Sequence, residues 1–125
     1  MDLNQATLEV ADFAAALEFY QTLGLKLIVL AEERYARFEM PSGASTLSIY
    51  VADEPMVQGP LLYAEVDDVD AVYYDLHAKG IVFDTVPEDQ PWLWREVRFR
   101  DPSGNRWCLF HAGNNRRFPP WRVEA

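Results

Sequence analysis

Few side chains in this chain have the chemistry of a nucleophile, a base or a soft metal ligand. There is one cysteine, Cys108, and there are two histidines, His77 and His111. A lone thiol attacks a substrate only when a base or a cation lowers its pKa. On a strand, alternate residues share a face, so Arg106 lies on the side of Cys108 while His111, three residues on, points the other way. His77 falls in a stretch of helical spacing. No base attends Cys108, and a buried, inert thiol is the expectation. The aromatic residues offer a different chemistry. Trp92-Leu93-Trp94 sets two tryptophans one residue apart, on one face of a strand, and Trp121 follows Pro119-Pro120. Indole faces attract cations and stack on flat molecules. The cluster reads either as a clamp over a ligand or as packing for the tail.

A repeat positions these residues. Leu8-Glu9-Val10-Ala11-Asp12 opens a helical stretch that stops at Gly24, and Ala64-Glu65-Val66-Asp67-Asp68 opens another that stops at Gly80. At an offset of about 56 residues, Glu9 matches Glu65, Val10 Val66, Asp12 Asp68, Ala15 Ala71 and Gly24 Gly80. Apolar alternation predicts strands at Gln5 to Val10, Leu25 to Leu30, Tyr35 to Met40 and Thr46 to Val51. Asp12 is a cap for a helix running to about Leu23, with Gly24 as its C′ residue. The second copy predicts strands at Leu61 to Val66, Ile81 to Asp84, Leu93 to Arg100 and Arg106 to Ala112. Its helix spans Val69 to Lys79, and Thr85 to Pro91 reads as a loop with two prolines.

The expected fold is therefore α+β: two tandem βαβββ modules forming a curved, eight-stranded mixed sheet, a cup, with the helices on its outer face. The boundaries are module one 5–52, linker 53–60, module two 61–112 and tail 113–125, within one domain spanning 1–125.

A net charge of −9 argues against nucleic-acid binding, which needs a basic footprint, and reads either as an ordinary solvated surface or as a field that attracts cationic ligands. No apolar run approaches the ~20 residues of a membrane span. The acidic start lacks a signal peptide's basic region, and a single cysteine forms no internal disulfide, so a cytoplasmic protein is expected.

Three stretches resemble the vicinal oxygen chelate superfamily of glyoxalases, extradiol dioxygenases, and fosfomycin- and bleomycin-resistance proteins. One is Leu8 to Asp12 with Ala15, Phe19-Tyr20 and Leu23-Gly24-Leu25; another is Val66-Asp67-Asp68 with Leu76 and Lys79-Gly80-Ile81. The most specific is Arg95-Glu96-Val97-Arg98-Phe99-Arg100-Asp101-Pro102-Ser103-Gly104-Asn105. The likeness covers Gln5 to Gly113. It implies the cup fold and, in the enzymes, a divalent metal held by four cup strands. On that pattern the four ligand positions hold Gln5, Ser48, Leu61 and Cys108. Leu61 donates nothing and Ser48 is a poor ligand, so no metal and no cofactor are expected.

Anchored on those positions, alternation points Gln5, Thr7 and Glu9, then Thr46, Ser48 and Tyr50, into the cup. The second module adds Leu61, Tyr63 and Glu65, then Arg106, Cys108 and Phe110. The expected ligand-binding residues are Gln5, Thr7, Ser48, Tyr50, Leu61, Tyr63, Trp92, Trp94, Cys108 and Phe110, with none catalytic. The resemblance implies a homodimer that sequesters a flat or cationic aromatic compound, with Glu9 and Glu65 supplying negative charge. The alternative is a metal-dependent lyase, isomerase or dioxygenase of the glyoxalase type. Packing of the same rings as a filled core is the bland counterpart of both.

Overall fold

Alternation in the first strand, β1 (Gln5–Val10), buries Leu8 and Val10 and leaves Gln5 and Thr7 exposed. Asp12 then caps helix α1 (Phe13–Thr22), its Oδ1 accepting from the Ala15 N–H at 3.0 Å. The helix closes at Gly24, whose φ of +98° lets its N–H reach the Gln21 carbonyl while Leu25 N–H reaches that of Tyr20. The structure is a computed structural model and describes residues 1–55 and 59–123. Residues 56–58 of the expected linker and 124–125 of the expected tail lie outside the described residues.

Two compact units are present. The first comprises Met1–Pro60 together with Asp101–Asn105. Strands β2 (Lys26–Ala31), β3 (Tyr35–Glu39) and β4 (Thr46–Val51) join β1 in the order β1-β4-β3-β2, with β1 parallel to β4 and the other pairs antiparallel. Leu8, Val10, Phe38, Leu47 and Ile49 share the buried face with Ala16 and Tyr20 of α1. The Tyr20 ring lies 5.9 Å from that of Phe38. Each such apolar side chain contributes about 1.5–3 kcal/mol through burial.

The 101–105 turn completes this unit. Tyr20 donates its hydroxyl hydrogen to Asp101 Oδ2 at 2.7 Å, in a buried contact. Asp101 Oδ1 accepts from the Ser103 and Asn105 N–H groups, and Asn105 Nδ2 donates to the Glu9 carbonyl at 2.9 Å. Ser103 Oγ accepts from the Ala11 N–H at 3.0 Å.

The second unit comprises Leu61–Arg100 and Arg106–Ala125. It holds β5 (Leu61–Glu65), α2 (Val69–Ala78), β6 (Glu88–Asp89), β7 (Arg95–Arg100) and β8 (Arg106–His111), with sheet order β5-β8-β7-β6. Asp68 repeats the cap, accepting from Ala71 N–H at 3.0 Å, and Gly80 repeats the left-handed stop at φ +96°. Val69, Leu76, Val97, Phe99 and Trp107 are buried. Arg95 fastens α2 to β7 through both oxygens of Asp70, at 2.7 and 2.8 Å. Among the described residues the expected βαβββ repeat is thus present as two α-helices and eight strands in two four-stranded mixed sheets.

Three local expectations are corrected. Ile81 to Asp84 is no strand: its sheet pairing is a single bridge, Phe83 to Phe99, and the fourth strand is β6, inside the expected loop. Thr85 Oγ1 takes the Arg98 N–H at 2.9 Å, so a side chain supplies a contact that a ladder carbonyl would otherwise make. The strand expected from Leu93 begins at Arg95. Pro91, Trp92 and Leu93 form a three-residue hairpin loop in which Leu93 N–H bonds the Gln90 carbonyl and Leu93 takes φ +68°. That left-handed residue breaks the alternation between Trp92 and Trp94.

Candidate functional site: two equivalent polar constellations and an aromatic triad

Register sets the face of each sheet opposite its helix. In the first sheet Thr7 pairs with Ser48 and Ser48 with Arg37; Glu9 pairs with Tyr50 and Tyr50 with Tyr35. In the second, Tyr63 pairs with Cys108 and Cys108 with Arg98; Glu65 pairs with Phe110 and Phe110 with Glu96. The rows correspond copy for copy. Ser48 takes the place of Cys108, Tyr35 that of Glu96, and Arg37 that of Arg98.

The correspondence extends to the hydrogen bonds. Ser48 is fully buried, and its Oγ lies 2.7 Å from the Tyr35 hydroxyl, to which Arg37 Nε donates at 3.0 Å. Gln5 Nε2 donates to Ser48 Oγ at 3.2 Å, and Gln5 Oε1 accepts from Thr46 at 2.7 Å. The bond to Ser48, helped by Arg37, holds the Tyr35 phenol below its ordinary pKa. In the second sheet Cys108 is fully buried and donates its thiol hydrogen to Glu96 Oε2 at 2.7 Å. Arg98 Nη2 lies 3.6 Å from the same oxygen. Burial, then the bond to Glu96, pushes the Cys108 thiol up to about 12, so at neutral pH it is protonated and a poor nucleophile.

Beside Cys108 lies an aromatic triad. Trp94 stacks on Phe110 at 4.6 Å, and Tyr63 meets both edge-on, at 5.9 Å from Trp94 and 5.7 Å from Phe110. Phe110 is buried, Trp94 is partly covered and Tyr63 is 50% exposed. Leu61 packs against the same cluster. Trp92 is exposed in the hairpin loop and has no ring contact with Trp94. Tyr50 is exposed on the first sheet.

Glu65 is tied to the end of β8, with Arg116 3.9 Å from its Oε1. Its Oε2 accepts from the Ala112 and Gly113 N–H groups at 2.8 and 3.0 Å. Trp121 is exposed; in the tail, Phe118 carries the guanidiniums of Arg117 and Arg122 instead. Sequence reasoning missed Tyr35, Arg37, Glu96 and Arg98. The period-2 pattern of β3 and β7 was the signal that would have found them.

The four positions that the resemblance aligns with metal ligands, two in each unit, carry poor donors. Leu61 has no donor atom. Gln5 and Ser48 are engaged with each other, and the Cys108 thiol is engaged with Glu96. Among the described residues no three His, Cys, Asp or Glu side chains gather where they could hold a metal ion.

With this fold and these faces, residues 2–109 match the model of the Glyoxalase/Bleomycin resistance protein/Dioxygenase superfamily, and the chain belongs to that superfamily. Its members bind small molecules. The chain is 36% identical to the uncharacterized protein YraH of Bacillus subtilis (strain 168), over 84% of this chain and 94% of that one. A glyoxalase/bleomycin resistance protein/dioxygenase from Nocardioides is similar in structure, with TM-score 0.80 and 25% identity over 99% of this chain and 90% of that one. Lactoylglutathione lyase from Agrobacterium tumefaciens shares the fold, with TM-score 0.74 and 20% identity over 98% and 97% of the two chains. No helix among the described residues is long and apolar enough to cross a membrane.

Proposed function

We propose that the chain is a metal-independent small-molecule-binding protein of the glyoxalase/bleomycin-resistance type that sequesters a flat or cationic aromatic compound. The observation that carries this reading is the Tyr63, Trp94 and Phe110 triad, with Tyr63 half exposed at its edge. A stacked ring adds about 0.5–1.5 kcal/mol beyond burial. A desolvated cation–π contact adds about 2 kcal/mol. A few such contacts reach micromolar affinity, about −8 kcal/mol.

Metal independence is supported by donor chemistry: Leu61 offers nothing, and Ser48 is a neutral hydroxyl bonded to Gln5 and Tyr35. The same two residues weigh against a metal-dependent lyase, isomerase or dioxygenase. Contacts to the ligand are assigned to Gln5, Thr7, Ser48 and Tyr50 on the first sheet, and to Leu61, Tyr63, Trp92, Trp94, Cys108 and Phe110 on the second. Sequestration of a toxic compound would act as antibiotic resistance in the cytoplasm. The protein works as a homodimer in this reading, because each sheet ends in edge strands that a second chain can cover. Light scattering should give about twice 14.4 kDa, and a mass near one chain refutes the dimer.

Titration with a panel of cationic aromatic compounds tests the function. Tryptophan fluorescence should quench, and Tyr63→Ala should weaken binding about tenfold or more, the worth of roughly one ring contact, without lowering the melting temperature. If no compound quenches and Tyr63→Ala melts the fold, the triad is a filled core.

A further inference from the structure

A cationic ligand needs an anionic contact, and the second sheet holds one outside the triad. Glu96 on β7 is only 4% exposed. Its two carboxylate oxygens are in different situations. Oε2 is taken up by the Cys108 thiol at 2.7 Å and by Arg98 at 3.6 Å. Oε1 is equally buried, and no donor among the described residues reaches it. Carboxylate oxygens only accept, and buried ones nearly always have a partner. Glu96 stands opposite Phe110 in the register, and Phe110 carries the stacked Trp94. The equivalent group in the first sheet, the Tyr35 hydroxyl, bonds both Ser48 and Arg37. The second copy thus differs by one unmatched acceptor beside an aromatic wall.

We propose that Glu96 Oε1 is the anionic contact of the ligand site and accepts an N–H from an ammonium or amidinium group of the ligand. The positive charge then lies beside the aromatic cluster of Tyr63, Trp94 and Phe110. The ligand class is an organic cation bearing both a flat ring and at least one N–H. A quaternary ammonium, which has charge but no N–H, satisfies the rings and not the oxygen. The indole of Trp94 is lightly held by hydrogen bonding. Its one hydrogen bond, from Nε1 to the Asn115 carbonyl, is 3.5 Å long and therefore weak. This assignment rests on the small-molecule-binding reading and deepens it.

Calorimetry with naphthylmethylamine, its N,N,N-trimethyl analogue and naphthylmethanol tests the assignment on wild type and on Glu96→Gln. Gln is isosteric and still accepts from Cys108. The wild type should prefer the primary ammonium over both analogues by about tenfold or more, as expected for a charge-assisted hydrogen bond. Glu96→Gln should erase that preference and leave the neutral alcohol within about twofold, since the rings are untouched. Equal binding of the primary and quaternary cations to wild type overturns the assignment without any variant, which covers the case of a variant that does not fold. A preference that survives Glu96→Gln also overturns it, while the aromatic site stands. If none of the three binds wild type, the small-molecule reading falls as well.

Discussion

Cys108 and Glu96 show how burial changes what a side chain can do. The thiol was the one nucleophile the sequence offered, and it is held protonated by burial and by Glu96. Its folded pKa of about 12 lies above the ordinary 9.0, so the native state keeps a proton that the unfolded chain releases. The stabilisation is complete below pH 9.0 and is lost as pH rises toward about 12. Denaturant melts across that range should fall more steeply for wild type than for Cys108→Ala. At neutral pH the same variant should lose about 1–3 kcal/mol, because both Glu96 oxygens are then buried without the thiol donor. Cys108 and Phe110 were legible from alternation along one strand. Alternation along β7 also puts Glu96 and Arg98 on one face, but that this face meets Phe110 and Cys108 depends on β7 lying antiparallel beside β8, a long-range pairing that the strand's own pattern does not carry.

Helix ends are the most legible elements, since caps act within four residues. Asp12 and Asp68 both accept from the N–H three residues on, and Gly24 and Gly80 both close their helices at positive φ. Asp12→Ala and Asp68→Ala should each cost about 1 kcal/mol, measured by denaturant midpoint at unchanged slope. Strands with clear alternation, such as β1 and β4, begin and end where the sequence predicts. The reading failed where pairing outweighs pattern. β6 is only Glu88 and Asp89, which carry no apolar signal and are strand because β7 offers partners. Trp92 and Trp94 looked like strand neighbours until Leu93, with φ +68°, placed the first of them in a loop.

On the scale of the molecule, the proposed metal independence makes a direct prediction. Prolonged chelator treatment should leave the melting temperature unchanged, since a specifically bound ion would stabilise the native state by linkage. A fall of several degrees on chelation would overturn that. The duplicated order was legible at this scale because each copy repeats its own caps. The fate of the 101–105 turn was not, since its partners Tyr20, Glu9 and Ala11 are more than 80 residues away in sequence. That turn makes the first unit a composite of two separated pieces of chain. A gene cut within codons 53–60 would therefore not yield two self-sufficient halves. Fragment 1–60 would lose Asp101 from Tyr20 and Ser103 from Ala11, and should show no cooperative melt alone. Adding fragment 61–125, which carries the missing turn, should restore one by complementation, so the first half is separable as a polypeptide yet borrows part of its fold from the second.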